Sequence, residues 1–373
     1  MLDATSRVAD RARSFFSAIA IARMEAAESK ARYPSETFVD YFQDGAMLAG
    51  ALEGLEATLA LAARAKTQET NEDLATLARR ARDLHQDLSF LIRANDADFV
   101  YYVERRGRGL FLRGSPIDVS RLANEAIFDR MRTVVLTSAT LAVEGSFDYF
   151  KSRLGIREAS QVRVPSEFDY ARQALLYLPR RMPSPKSPTF SAAAAREVIE
   201  LLKRTRGRAF VLFTSYAMLR AVQQFVEMSL PFPILVQGTA PRSTLIERFR
   251  STPNAVLLAT SSFWQGVDVV GEALSCVIVD RLPFASPGDP VTAARIESIR
   301  AGGGDAFADY QVPLAILALQ QGLGRLIRHR ADRGVLAVLD PRLRTMAYGR
   351  RFLDSLPPAP VTHDLAAVER FFG

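Results

Sequence analysis

The sequence predicts an α/β protein whose main body is a doubly wound parallel sheet, preceded by an all-helical segment. Three observations carry this expectation. From about residue 145, short apolar runs rich in β-branched residues alternate with segments of helical periodicity, as strands buried on both faces do. Up to about residue 95, leucines recur three and four apart with no strand-like alternation. The character changes near Asp96, where β-like runs flank a basic, Gly-containing turn.

Each element has its own justification. Leu74, Leu77, Ala81, Leu84, Leu88 and Leu91 form one stripe, and Phe38, Phe42, Leu48, Leu52, Leu55 and Leu59 form another, so residues 1–95 are expected to pack as antiparallel helices. Ser35 and Asn71 are candidate N-caps. Phe99–Val103 and Leu110–Leu112 read as a hairpin around Arg105-Arg-Gly-Arg-Gly109, a turn that suits a nucleic-acid backbone or simply solvent. Val134–Leu136 reads as a buried strand with Thr137, Ser138 and Thr140 at its carboxyl end, where α/β proteins place ligands and where hydroxyls also form turns. Further strands are expected at Ala174–Leu178, Ala209–Thr214, Ile234–Val236, Ala255–Ala259, Cys276–Asp280 and Val335–Asp340. Helices such as Ala192–Arg204, Tyr216–Met228 and Thr244–Arg250 fall between them.

Composition narrows the chemistry. The 373 residues suffice for two or three domains, and 48 Lys+Arg against 41 Asp+Glu give a net charge of +7, which permits a nucleic-acid partner. From Gln320 to Arg350 there are seven arginines against two acids, Asp332 and Asp340. The single Cys276 sits in an apolar run and reads as a core thiol; it excludes an internal disulfide and any Cys-ligated zinc or iron–sulfur cluster. His85, His329 and His363 show no metal-ligand spacing, so no metal site is expected from this chain's own ligands. No apolar run is expected to be long enough to span a bilayer and no signal-peptide pattern follows Met1, so a cytoplasmic protein with no membrane partner is expected.

The densest functional signal is Gln320-Gln-Gly-Leu-Gly-Arg-Leu-Ile-Arg-His-Arg330. Read as a helix, it places Gln321, Arg325 and Arg328 on one face. Gly322 and Gly324 each weaken a helix by about 1 kcal/mol relative to Ala and let a ligand or backbone come close. Two guanidiniums and a carboxamide over small residues suit phosphate oxygens; a solvated basic face is the alternative. After the strand ending at Ala259 comes Thr260-Ser-Ser-Phe-Trp-Gln-Gly-Val-Asp268. There Gly266 permits a tight backbone, and Asp268 accepts from a ribose hydroxyl, orients an arginine or caps a turn. Trp264 either packs under the loop or stacks on a base.

Thr137-Ser-Ala-Thr140, Phe263-Trp-Gln-Gly-Val-Asp268, Arg281-Leu-Pro-Phe284 and Gln321-Gly-Leu-Gly-Arg-Leu-Ile-Arg328 occur in that order. The series resembles motifs III, V and VI of superfamily 2 helicases, best the DinG-like branch of the XPD type, over about residues 97–355. The resemblance implies a helical arch-like segment at 1–96, the last piece of a first RecA-like domain at 97–144, and a second RecA-like domain at 145–373. It implies that ATP sits between the two RecA-like domains, with Arg325 and Arg328 meeting the γ-phosphate and Gln321, Gly324, Asp268 and Gly266 at the nucleotide. Thr137, Ser138 and Thr140 would couple nucleotide state to DNA grip, and Thr214 and Ser215 would face single-stranded DNA, with 5′→3′ movement. Gln265 stands where many members have Glu.

A motor also needs a Gly-rich loop with Lys for the phosphates and acids for Mg²⁺. No Gly-Lys-Ser/Thr occurs, since Lys30, Lys66, Lys151, Lys186 and Lys203 all lack a preceding Gly, and no Asp-Glu pair occurs. The family's iron–sulfur cysteines are absent. The expectation is therefore the carboxyl-terminal portion of a DNA helicase, inactive alone, sharing ATP and Mg²⁺ with a missing amino-terminal motor domain that carries Walker A and B. A non-enzymatic single-stranded-DNA-binding module and an unrelated nucleotide-binding α/β protein are the other readings. Exposed apolar surface is expected over 97–141, where a sheet fragment lacks neighbours.

Overall fold

The computed structural model describes residues 1–22, 30–33, 42–64, 68–260, 263, 269 and 271–372, without the side chains of 68–71. The candidate cap Ser35 falls outside the described positions, and Asn71 lies inside helix Gln68–Arg93 rather than before its first residue, because the helix begins earlier than expected. The chain divides into two compact units, Met1–Val119 with Ser286–Gly304, and Ser120–Ala285 with Asp305–Gly373. Compact units are not the expected evolutionary pieces 1–96, 97–144 and 145–373, and strand pairing explains why residues 99–116 group with the first.

In the first unit, helices Leu2–Ala22, Phe42–Arg64 and Gln68–Arg93 bury Phe15, Ile19, Leu48 and Leu52 against Tyr33, Tyr101 and Val103. The amino-terminal segment is not wholly helical. Lys30–Tyr33 forms strand β1, antiparallel to β2 (Phe99–Arg106), which pairs in turn with β3 (Gly109–Pro116). That ladder draws residues 99–116 into the first unit. One face of the sheet lies on the helices, and the other is covered by helix Pro290–Ala301, whose Ala294 packs on Val100 and Tyr102. Asp289 caps that helix by accepting from the Thr292 N–H at 3.1 Å and also pairs with Lys30 at 2.7 Å. The second leucine stripe is shifted from the expected one. Leu74, Ala78 and Ala81 are buried, whereas Leu77 and Leu84 are exposed, because small residues make the close contact with Leu59 and Ala63.

Helix Phe42–Arg64 corrects one expectation. Its 23 residues, with a window mean hydropathy of 1.4, are long and apolar enough to cross a membrane by length and composition. Asp44, Glu53 and Glu56 interrupt the run, so a search for unbroken apolar sequence passes over it. Here it supplies Leu48 and Leu52 to the core.

The second unit is the expected parallel sheet with helices on both faces. Its strands are β4 (Ala174–Tyr177), β5 (Ala209–Phe213), β6 (Ile234–Val236), β7 (Val256–Thr260), β8 (Cys276–Val279), β9 (Gly334–Val338) and β10 (Val361–Thr362). They lie in the order β10-β4-β9-β8-β5-β7-β6, all parallel. Alternate residues feed two cores. Leu176, Leu212, Leu257 and Val277 face helices Arg242–Ser251 and Val312–Leu323, and Tyr177, Val211, Leu258 and Ile278 face helices Phe190–Thr205 and Tyr216–Ser229. The two edge strands are the shortest, which limits unpaired backbone. Cys276 is buried in this core and burial pushes its thiol pKa up, as the core reading requires.

The expected strand Val134–Leu136 does not form. Residues 131–142 contain no helix or strand, and Val135 is 81% exposed. An apolar, β-branched run needs a sheet on either side, and no described strand of this chain flanks it. The apolar exposure expected over 97–141 falls mainly here, at Ile127, Met131, Val134, Val135 and Leu136, since residues 99–116 are paired.

Candidate nucleotide and nucleic-acid site

Two opposite edges of the seven-stranded sheet carry the candidate residues. At the amino edge, helix Val312–Leu323 ends where the sequence reading extended it to Arg330. Gly324 closes the helix, its N–H donating to the Gln320 carbonyl at 2.8 Å, and residues 324–333 form a loop. Gly322 and Gly324 explain the early end: together they cost about 2 kcal/mol of helix propensity. A Cβ on Gly324 would also lie 2.9 Å from the Gln320 carbonyl oxygen. Gln321 thus sits in the last helical turn, with Arg325 and Arg328 beyond it, so helical periodicity is not what brings them together.

The loop is fixed by groups that sequence reading missed. The Asp332 carboxylate accepts the backbone N–H of Arg328 and of His329, each at 2.8 Å. Gln173, just before β4, donates its carboxamide to the carbonyls of His329 (3.0 Å), Arg330 (3.2 Å) and Asp332 (3.0 Å). Leu326 packs on Gly334, where a Cβ would collide with it. Backbone groups are therefore satisfied by buried side chains, and the half-buried Arg325 and Arg328 project from a held loop.

Thr137, Ser138 and Thr140 lie in the irregular run, with Thr137 and Ser138 exposed; the Ser138 hydroxyl accepts from the Thr140 N–H at 3.2 Å. Their chain leads directly to the amino-edge site. The Glu144 N–H donates to the Ser355 hydroxyl (3.0 Å), Arg351 pairs with the Glu144 carboxylate (2.9 Å), and Gln320 donates to the Ser355 carbonyl (2.5 Å). Glu144, four residues after Thr140, thus shares Ser355 with the residue before Gln321.

The carboxyl edge is separated from this by the strand length, about 16 Å for five residues. There Thr214 and Ser215 follow β5. Thr214 donates its N–H (2.9 Å) and hydroxyl (3.3 Å) to Asp280, which also accepts the Arg281 N–H at 2.7 Å. Ser215 caps helix Tyr216–Ser229 by accepting from the Met218 N–H at 3.2 Å. Gln237 joins the neighbouring strand ends, donating to the Tyr216 hydroxyl (2.6 Å) and accepting the Thr260 N–H (2.6 Å) and hydroxyl (3.0 Å). Asp340, after β9, accepts the Leu282 N–H at 2.9 Å and so fixes the Arg281-Leu-Pro-Phe284 turn. Phe284 then stacks on Phe307 at 5.6 Å between ring centroids. Gly266 and Asp268, with Trp264 and Gln265, lie outside the described residues.

Burial raises the pKa of Asp280 to about 7, against the opposing pull of Thr214 and Arg281. The folded protein therefore holds a proton there that the unfolded chain, with a carboxyl near its ordinary value, releases. Stability from this group is fully present below about pH 4 and is lost as pH rises to about 7, a change of the order of 4 kcal/mol. Melting curves from pH 5 to 8 should show the decline in the parent and a flatter profile in Asp280→Asn. Parallel profiles would refute the assignment to Asp280.

Comparison with known proteins follows this geometry. The sequence profile described as the helicase C-terminal domain matches residues 198–359. The ATP-dependent DNA helicase YoaA of Escherichia coli is 43% identical over 277 residues, covering 74% of this chain and 44% of that protein. The 3′–5′ exonuclease DinG of Bacillus subtilis is 35% identical over 291 residues, covering 74% of this chain and 31% of that protein. The matched region thus spans less than half of either relative's length. A solved XPD helicase structure superposes with a TM-score of 0.60 at 12% identity, over 97% of this chain and 64% of that one, which supports the fold. Profile, relatives and fold agree with the motif order: the chain is the C-terminal portion of a DinG/XPD-like superfamily 2 helicase.

Proposed function

We propose that this chain is the second motor domain and arch-like segment of an ATP-dependent DNA helicase, and that it supplies the arginine side of an ATP site shared with another domain. The observation that carries the reading is the held 324–333 loop, with Arg325 and Arg328 at one edge of the sheet and Thr214 and Ser215 at the other. In this arrangement the guanidiniums of Arg325 and Arg328, beside Gln321 and Gly324, stabilise the charge that develops on a transferring phosphoryl group. Asp268 and Gly266 belong to the nucleotide side by the motif they occupy. ATP supplies the phosphoryl group, and Mg²⁺ and the phosphate-cradling Lys come from the other domain, because no Gly-Lys-Ser/Thr occurs in this sequence.

Single-stranded DNA fits the carboxyl edge. The Ser215-capped helix presents its amino terminus there, and the half-exposed Tyr216 adjoins it. The run containing Thr137, Ser138 and Thr140, which leads to the amino edge through Glu144, couples nucleotide state to DNA grip in this reading. Its apolar residues 134–136 are read as a strand belonging to the first motor domain's sheet, which accounts for their exposure. Such a motor works in the cytoplasm, where DNA and ATP are both present. The helicase reading is preferred over an exonuclease because the motif order and the helicase C-terminal domain at 198–359 both point to a motor.

The test is complementation. The purified chain should bind a labelled single strand but hydrolyse no ATP. Joined to the amino-terminal half of a full-length relative, it should give DNA-stimulated turnover. Binding without turnover in the joined protein would favour a DNA-binding module, and turnover by the chain alone would overturn the shared-site reading.

A further inference from the structure

The β2–β3 hairpin carries charge that the motor reading leaves unused. Between residues 104 and 113 there are four arginines against the single acid Glu104, and no lysine. The loop is the two residues Gly107 and Arg108, since Arg106 pairs with Gly109. Gly107 takes φ +58, as the first central position of a tight hairpin turn requires. A hairpin that needed only to turn would gain nothing by crowding like charges at its tip.

The tip is built in two layers. Arg106 (3.0 Å) and Arg113 (3.2 Å) both pair with Glu104, whose side chain is 9% exposed. Burial alone would raise the Glu104 carboxyl, but Arg106, Arg113 and Lys30 hold it below the ordinary range, so it stays charged and keeps both guanidiniums in place. Arg113 in turn lies over the Phe111 ring, 5.2 Å from its centroid. Gly109 leaves room for that ring, because a Cβ there would sit 3.0 Å from it. Phe111 remains 41% exposed, an unusual place for a large aromatic on an otherwise charged tip. Beyond this layer, Arg105 and Arg108 are exposed and form no ion pair among the described residues.

We propose that this hairpin tip is a single-stranded-DNA contact, in which Arg105 and Arg108 take backbone phosphates and Phe111, held by Arg113, stacks on a base. Arginine rather than lysine suits phosphate oxygens bidentately. An exposed aromatic selects single strands, because only an unstacked base offers its face. The contact deepens the DNA-helicase reading and rests on it.

The experiment is fluorescence anisotropy of the full chain with a labelled oligothymidylate across a salt series. Arg105→Ala/Arg108→Ala should weaken binding about tenfold and make the slope of log K against log salt shallower by about 1.4, the value for two phosphates on a single strand. Phe111→Ala should weaken binding about fivefold or more with an unchanged slope. Arg105→Lys/Arg108→Lys should restore most of the slope, and circular dichroism confirms folding throughout. Parent-like affinity and slope in both Ala variants would overturn the hairpin contact while leaving the helicase reading intact. Absence of DNA binding by the parent would overturn both. Equal loss on duplex DNA with no effect of Phe111 would also overturn the proposal, identifying the tip as a general polyanion or acidic-protein patch.

Discussion

In a completed motor, made by joining this chain to the amino-terminal half of a full-length relative, Arg328→Ala should lower the turnover of ATP about 10³–10⁵-fold. At 1.36 kcal/mol per decade, that is roughly 4–7 kcal/mol of transition-state stabilisation. An arginine finger acts mainly on the charge that develops during transfer, so in that role the loss should appear in kcat more than in KM. The structure makes this substitution informative, since the Arg328 backbone is held by Asp332 and the adjoining carbonyls by Gln173. Removing the side chain leaves those backbone anchors in place, and circular dichroism of the variant checks that the fold is kept. Arg328→Lys restores charge without the planar fork and should recover only part of the rate. A kcat within tenfold of the parent for both Arg325→Ala and Arg328→Ala would remove the arginine-finger role.

Much of this arrangement was legible in the sequence. All six strands expected from residue 174 onward occur within a residue or two of their expected limits, because parallel strands buried on both faces write near-continuous apolar runs. Gly324 was legible as a backbone exception but not as a helix end, since Gln321, Arg325 and Arg328 keep helical spacing whether or not the helix continues. The anchors were not legible. Asp332 and Gln173 are 159 residues apart, and nothing near either marks the other as its neighbour. Strand β1 was hidden for the same reason: four residues between helices acquire strand character only from the ladder with β2. Val134–Leu136 shows the converse. Its sequence carries every local mark of a buried strand, yet it stays irregular in this chain, because a parallel strand is specified by neighbours as much as by its own residues.

Asp340→Ala should be the most destabilising of the polar substitutions considered, by about 3–5 kcal/mol, and should lower the melting temperature by roughly 10 °C. Asp340 has no exposed side-chain surface and accepts from Arg342 at 2.6 Å and from the Leu282 N–H at 2.9 Å. Its removal strands the Arg342 guanidinium and two backbone donors, the N–H of Leu282 and the N–H of Arg342, the second of which Asp340 accepts at 3.0 Å. Arg342 is left part-buried over the Phe284 ring, 5.4 Å from the centroid, and the Leu282 N–H is left buried without its acceptor. Asp340→Asn keeps an acceptor for Leu282 and should cost less. The decisive variant removes both charges. If the penalty comes from an uncompensated guanidinium, Asp340→Ala/Arg342→Met should be more stable than Asp340→Ala alone, although it carries one more substitution. If the double variant is the less stable of the two, the ion pair is not the source of the penalty, and the backbone hydrogen bonds from Leu282 and Arg342, the first of which fixes the Arg281-Leu-Pro-Phe284 turn, carry it instead.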